Sequence, residues 1–338
     1  MNPKGRVLSH EERMNIAASA AKFPNTNSAA VALGVHRATV KKAVAYAESQ
    51  RPKIKFPDIP ADDIETEEEL RLAARRFEKR LANVQARDWQ PIRIETDKPI
   101  VLAFVGDPHI DDNGCNLPLL LEHVELLRQE HVYAVNIGDT TNNWTGRLMR
   151  LYANQDTSVS TARKRAKWLM QEAGIQWLVW VMGNHDEWEN GADILRGMNT
   201  RGIVMEDWQA RFSVEFPSGL EVPVWAAHDF KGHSQFNKLH AAMRTARERR
   251  GAAIYVCGHK HDWAVHHEEI PDTGETFWAL RARGYKFLDS YSARLGFASS
   301  RYGATVAAVI DPRETDNPLR AVTCFADLQQ AINYRRAL

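Results

Sequence analysis

Five short clusters of oxygen and imidazole donors run through the chain in a fixed order: Asp107-Pro108-His109, Gly138-Asp139 with Asn142, Gly183-Asn184-His185-Asp186, His228, and Gly258-His259-Lys260-His261. Asp, His and Asn offer oxygen and nitrogen ligands without thiolate, a donor set suited to Mn²⁺, Fe or Zn²⁺. The groups are too many for one ion and about right for two. Paired divalent ions are an arrangement that hydrolyses phosphoesters.

Each cluster follows an apolar run: Ile100 to Val105, Val132 to Ile137, Trp177 to Met182, Val222 to Ala227 and Ala252 to Cys257. Short, continuously apolar runs of this kind predict buried strands. Donors placed just beyond successive strand ends converge on one edge of a sheet, where open α/β sheets hold their sites.

In order and spacing the blocks resemble the calcineurin-like metallophosphoesterase superfamily, whose pattern is D-x-H, G-D-x-x-D/N, G-N-H-D/E, H and G-H-x-H. The resemblance covers Ile100 to His261 and implies an α/β fold, a metallophosphoesterase β-sandwich flanked by helices (αββα). It implies one ion held by Asp107, His109, Asp139 and His261, and a second by Asp139, Asn184, His228 and His259, with Asp139 shared. Mn²⁺ is favoured, with Fe or Zn²⁺ as alternatives. A bridging hydroxide would be the nucleophile and His185 the general acid. Asp186 and Asn142 are the candidate partners of the His185 ring, and Asn142, lacking charge, would leave that ring less basic than an acid would. His228 stands in no compact motif and rests on its strand, with His233 as the fallback.

Met182 before the third block and Asn142-Asn143 in the second depart from the protein-phosphatase branch, and the pattern resembles the phosphodiesterase branches instead. Asn143, Trp144 and Arg147 after the second block and Trp188 after the third are expected at the rim, where an indole could stack on a base. Arg281, Arg283, Tyr285 and Lys286 are candidate phosphate contacts. Arg163, Lys164, Arg165 and Lys167, and Arg244, Arg247, Arg249 and Arg250, form two basic runs that read as solvated helix faces or phosphate contacts.

At 338 residues, 44% hydrophobic, the chain is long enough for a catalytic domain and a small companion. The formal charge of +1 hides an uneven distribution: up to Phe56 there are ten Lys/Arg against three acids. Ser9 to Glu12 is a capping-box pattern opening a first helix through about Lys22. Ser28 is expected to cap a second helix over Ala29 to Leu33, Gly34 to supply a turn, and Arg37 to Glu48 to form a third. The segment resembles prokaryotic helix-turn-helix domains of phage and transposase proteins, which implies DNA contacts from His36, Arg37, Thr39, Lys41 and Lys42. The organisation expected is therefore a small all-α helix-turn-helix domain over 1–50, a linker and charged helix over 51–90, and the metallophosphoesterase domain over 91–338. Gln50 to Ala61 reads as the linker. The helix Ile64 to Arg87, with Leu70, Ala74, Phe77 and Leu81 at helical spacing, packs on the catalytic domain or pairs with another copy as a homo-oligomer.

The three cysteines, Cys115, Cys257 and Cys324, form no CxxC pair and give no disulfide framework. With no apolar leader core and no run of about 20 apolar residues, a cytoplasmic protein without membrane partners is expected. Three functions stay in play: a nuclease delivered to DNA by the N-terminal domain, a phosphatase or phosphodiesterase of small nucleotides that uses that domain for assembly, and a DNA-binding regulator with a non-catalytic metal domain. Complete blocks argue against the last.

Overall fold

The computed structural model describes residues 7–52, 66–86, 88–288 and 301–338. The chain divides into two compact units, Met1–Arg76 and Phe77–Leu338.

The N-terminal unit contains α1 (His10–Ala20), α2 (Thr26–Leu33) and α3 (Arg37–Ser49). Ser9 caps α1 as the sequence predicts, its hydroxyl accepting from the Glu12 amide at 3.2 Å while the Glu12 carboxylate accepts from the Ser9 amide at 2.8 Å. The second helix starts earlier than predicted. Asn25, not Ser28, is the cap, and its side-chain oxygen takes the amides of Asn27 and Ser28 at 3.0 and 2.9 Å. Gly34, at φ 63°, closes α2 in the left-handed region that a residue without Cβ adopts at least cost. Ala20, Ala29, Ala30 and Val40 form the core, with Ile16, Phe23, Leu33, Val35 and Val44 packed around it.

The charged helix is α4 (Glu67–Ala86), on which Leu70, Phe77, Leu81 and Val84 are exposed. Most of the expected linker, and Ile64 and Arg87 at the ends of the expected helix, lie outside the described residues.

Twelve strands follow among the described residues: β1 (Gln90–Arg93), β2 (Ile100–Val105), β3 (Val132–Ile137), β4 (Trp177–Met182), β5 (Val204–Asp207), β6 (Gln209–Glu215), β7 (Glu221–Ala227), β8 (Ile254–Cys257), β9 (Ala264–Ile270), β10 (Glu275–Arg281), β11 (Thr305–Ile310) and β12 (Val322–Phe325). They build two six-stranded sheets, ordered β12-β11-β2-β3-β4-β5 and β1-β6-β7-β8-β10-β9. Strands β2 to β5 run parallel, as do β7, β8 and β10.

Alternation along β2 explains the layering. Ile100, Leu102 and Phe104 point into the core between the sheets, where Val224 and Ala226 of β7 and Ile254 and Val256 of β8 meet them. Val101, Ala103 and Val105 face the other way, against Leu120 and Val124 of α5 (Leu117–Leu127) and a C-terminal helix that supplies Leu328 and Ile332. A strand buried on both faces must be apolar throughout, which is why these runs show no alternation in sequence. A register shift between β3 and β4 at Ala134/Val135 puts Trp177 and Trp180 on the same face. Behind the second sheet, α6 (His240–Glu248) sets Ala242 and Ala246 against Tyr255 and Phe277. The layers are helix, sheet, sheet, helix.

Phe104, fully buried between the sheets, gives a direct check on this packing. Phe104→Ala should lower unfolding stability by about 3–5 kcal/mol, read from the denaturant midpoint of the catalytic unit. A change below about 1 kcal/mol would mean the sheets do not pack there.

Candidate metal centre

Each donor cluster sits immediately after its strand, and both sheets contribute. Asp107 and His109 follow β2, Asp139 follows β3, and Asn184 and His185 lie in the short helix Asn184–Glu187 after β4. His228 follows β7, and His259 and His261 follow β8. The site therefore lies at one end of the sandwich, where the β2-β3-β4 and β7-β8 ends meet, and not on the edge of a single sheet.

Backbone conformation is unusual at several of these residues. Asp107, His109, Asp139, His259 and His261 all have positive φ, between 39° and 68°. Such values are uncommon for residues with a Cβ and concentrate at functional sites, where the surrounding structure holds them. The chain turns sharply as it leaves each strand, and the turn aims the side chain inward. Two motif glycines have a steric reason. A Cβ at Gly183 would stand 2.3 Å from the Asp139 Oδ1, and one at Gly258 would stand 2.4 Å from the Asp107 Oδ2. Any side chain there would occupy the space of a carboxylate.

Two groups of donors result. Ligand atoms of Asp107, His109 and His261 lie within 4.8 Å of one another, as do those of Asp139, His228 and His259. Asp139 Oδ2 stands 3.3 Å from His228 Nε2 and 3.8 Å from His109 Nε2, so this carboxylate lies between the groups. Asn184 joins the second group through its amide oxygen, 3.0 Å from His228 Nε2. His259 Nδ1 is 2.9 Å from the same nitrogen. His228 Nδ1 faces the Ile137 carbonyl at 3.0 Å. With Nδ1–H donating to that carbonyl, Nε2 is the nitrogen that faces the group and would give its lone pair to an ion on losing its proton, the usual way a ligating imidazole is oriented.

The donor set fits divalent ions. Asp107 Oδ1 is buried without a hydrogen-bond partner, although buried polar atoms are nearly always paired. Around His228 Nε2, a carboxylate oxygen, an amide oxygen and a second imidazole nitrogen converge with more lone pairs than protons. A cation satisfies such an arrangement.

The charges of these groups settle unevenly. Burial pushes Asp107 up to about 8, against the pull of His228. For Asp139 burial acts in the same sense, but the imidazoles of His228, His185 and His109 outweigh it and hold this carboxyl well below the usual range. Burial works against a charged His228, yet Asp139 and Asp107 raise it to about 10. Burial and the neighbouring His185 take His109 well below its ordinary value, and burial and His228 take His259 down to about 4.

The remaining candidates fall into two sets. His185 is in place: its ring nitrogen Nδ1 hydrogen-bonds the Asn142 carbonyl, and Nε2 lies 3.9 Å from Asp139 Oδ2. It also lies within 4.8 Å of the donors of His109 and Asp139. The partner of the ring is thus the Asn142 backbone, not its amide. That amide donates to Asp112 Oδ2 at 2.7 Å and Gln155 Oε1 at 3.0 Å. Asp186 does not meet the ring either. Its carboxylate accepts the backbone amides of Thr140 and Gly183, both at 3.0 Å, and so pins the second block to the third. Burial and Asp139 raise it to about 7.

Trp144 and Trp188 flank the His185 ring, with centroids at 5.1 and 4.2 Å. Lys286 Nζ is 5.2 Å from the Trp144 ring and 3.1 Å from Asp112 Oδ2, beside the site. The Asn143 amide donates to the carbonyls of His185 and Trp188 and orders the loop. Arg147 is exposed.

Arg283 is not at the surface: it is buried, with its guanidinium 3.7 Å from the centre of the Phe287 ring, because β10 and the chain after it turn inward. Arg281 is likewise buried, near Asp229 and Asp262. The Tyr285 hydroxyl contacts His123 and Thr305 in the core. Of the basic runs, Arg165 donates to the Ile110 carbonyl, while Arg244 and Arg247 pair with Glu248 and Glu268. On α3, His36 caps the helix, while Arg37, Lys41 and Lys42 are exposed and Thr39 is half-buried. The sequence reading missed Trp208, which edges both His228 and His259. Nothing in the sequence marked it, because the strand that precedes it, β5, was not among the predicted runs.

Residues 100–263 match the family model of the calcineurin-like phosphoesterases. The match spans all five blocks and supports that superfamily for this domain, and with it metal-dependent phosphoester hydrolysis. Among solved structures, Vps29 from Cryptosporidium parvum aligns at 14% identity over 68% of this chain and 98% of its own, with a TM-score of 0.34. Zinc-complexed Vps29 from Entamoeba histolytica aligns at 11% over 67% and 97%, TM-score 0.34. The phosphoesterase YfkN from Bacillus subtilis aligns at 10% over 72% and 98%, TM-score 0.35. No curated protein matches the chain. No helix among the described residues is long and apolar enough to cross a membrane.

His228 and Asp107 both hold protons more tightly than usual, so ion binding at pH 7 should release protons, and affinity should rise with pH through about 8. Calorimetry of Mn²⁺ binding in buffers of different ionisation enthalpy should read that release. Identical heats across buffers would contradict it. Asp139→Asn should weaken uptake of both ions together; loss of only one would show that Asp139 is not shared.

Proposed function

We propose that the chain is a two-metal phosphodiesterase that cuts nucleic acid, with DNA as the favoured substrate. The observation that carries this reading is the Asp139 carboxylate between two groups of donors. Asp107, His109, Asp139 and His261 would hold one ion; Asp139, Asn184, His228 and His259 would hold the other, with Mn²⁺ ahead of Fe or Zn²⁺ for a set without thiolate. When bound, two such ions stabilise charge on the phosphoryl oxygens and make hydroxide available near neutral pH.

The chain's own residues supply the rest. His185, tied at Nδ1 to the Asn142 carbonyl, presents Nε2 towards the site and protonates the leaving oxygen. Asp186 and Asn143 hold the loops that carry it. Trp144 and Trp188 flank the ring, and both are half-buried, leaving surface that a base could meet. Lys286 supplies a cation beside Trp144. Exposed Arg37, Lys41 and Lys42, with Thr39, support DNA contact by α3, where cations meet phosphates before bases.

A second reading, a diesterase of small nucleotides whose N-terminal segments serve assembly, draws on the exposed Leu70, Phe77 and Leu81 of α4 as a surface for pairing between copies. Deleting residues 1–50 separates the two: DNA cleavage should fall while hydrolysis of a small diester holds. Equal DNA cleavage would remove targeting.

End-labelled DNA with Mn²⁺ should be cut by the wild type and spared by His185→Ala, with loss of about 10²–10⁴-fold, while the variant still binds two ions. Intact DNA under conditions that hydrolyse a small aryl diester would rule out the nuclease. A variant that keeps only one ion would make His185 a ligand.

A further inference from the structure

Trp208 occupies an unusual position beside the donor groups. It is the single residue between β5 and β6, where the chain crosses from one sheet to the other. Its φ is 63°, a conformation that bulky side chains rarely adopt. The backbone is clamped there: the Trp208 amide donates to the Met182 carbonyl at 3.0 Å, and the His228 amide donates to the Trp208 carbonyl at 2.8 Å. The strand ends that carry the third and fourth donor blocks thus fix this residue.

The side chain is fixed as well. The indole N–H donates to the Asp229 carbonyl at 3.1 Å. The ring stands edge-on to His228, with centroids 5.3 Å apart and planes at 81°, and 6.4 Å from His259. Yet 37% of Trp208 is exposed. It forms one wall of a cleft of about 450 Å³ that Lys231, His233 and Lys260 also line. That volume lies within the roughly 300–1,000 Å³ of small-ligand sites. The carboxylate in the cleft, Asp229, is engaged by Lys260 at 3.5 Å and Arg281 at 3.7 Å, so it offers little repulsion to an anion. Lys231 is exposed.

We propose that this cleft seats a nucleobase of a single-stranded nucleic acid, stacked on Trp208, with the adjoining phosphate against Lys231 while Lys260 offsets Asp229 beside it. The proposal rests on the nucleic-acid reading above and deepens it. It places a subsite on the His228–His259 side of the centre, opposite in character to the Trp144–Trp188 housing around His185. An indole immobilised before the substrate arrives loses little freedom on binding, which favours affinity. Stacking serves every base, so the subsite selects for the presence of a base and not for its identity.

The test compares dye-labelled oligothymidylate with an abasic oligomer of the same length, by anisotropy on the full chain without added divalent ion. Trp208→Ala should weaken oligothymidylate binding about tenfold, the order of one base–aromatic stack, and leave abasic binding unchanged. Trp208→Phe should keep most of the affinity. Lys231→Ala should weaken both oligomers alike and reduce the salt dependence. Equal loss on both oligomers in Trp208→Ala, or no loss on either, would overturn the subsite while leaving the nuclease reading intact. A wild type that hydrolyses a small aryl diester with Mn²⁺ but neither binds nor cuts oligonucleotides would remove the nuclease reading, and the subsite with it.

Discussion

Burying several ionisable groups at one end of a β-sandwich is the constraint that organises this molecule. Asp107, His109, Asp139 and His228 are all withdrawn from water. Isolated buried charge is costly unless it is paired or coordinated. Here Asp139 keeps its charge against burial because of the His228, His185 and His109 imidazoles, and His228 keeps its proton chiefly because of Asp139. The site is an electrostatic network of carboxylates and imidazoles whose donor atoms fit cations.

Everything nearby serves that arrangement. Left-handed turns after the strands aim the donors inward, and Gly183 and Gly258 leave room for carboxylate oxygens. The Ile137 carbonyl fixes the tautomer of His228, and the Asn142 carbonyl fixes the ring of His185. A further ring of groups ties the loops together: the Asn142 amide hydrogen bonds to Asp112 and its backbone N–H to Asp111, while Gln155 bridges Asp111, Asn142 and Trp144. The two-sheet core supplies the rigidity that holds strained turns in place.

Much of this was legible in the sequence because strand and donor are adjacent there. β2, β3 and β4 begin and end where their apolar runs do, and the fold class follows from the five blocks. Less legible was anything set by the direction of a side chain after a turn. Asn142 and His185 are associated as expected, but through a backbone carbonyl that no residue type reveals. Asp186 turns away from the ring to backbone amides three residues back and in the neighbouring block. Arg283 reads as a surface cation and is buried, since the path of the chain after β10 is a tertiary matter. Asn25 took the cap expected of Ser28: its side-chain oxygen accepts the amides of Asn27 and Ser28, and the Ser28 hydroxyl donates to it as well. Trp208 had no motif to mark it; its place became visible only once the crossing between sheets was seen.

The central claim is that Asp139 is the carboxylate shared by two ions. Anomalous scattering from crystals grown with Mn²⁺ tests it most directly. The account predicts two peaks about 3.5–4 Å apart, one on the Asp107–His261 side of Asp139 and one on the His228–His259 side. A single peak, or peaks that leave the Asp139 carboxylate uncoordinated, would contradict it.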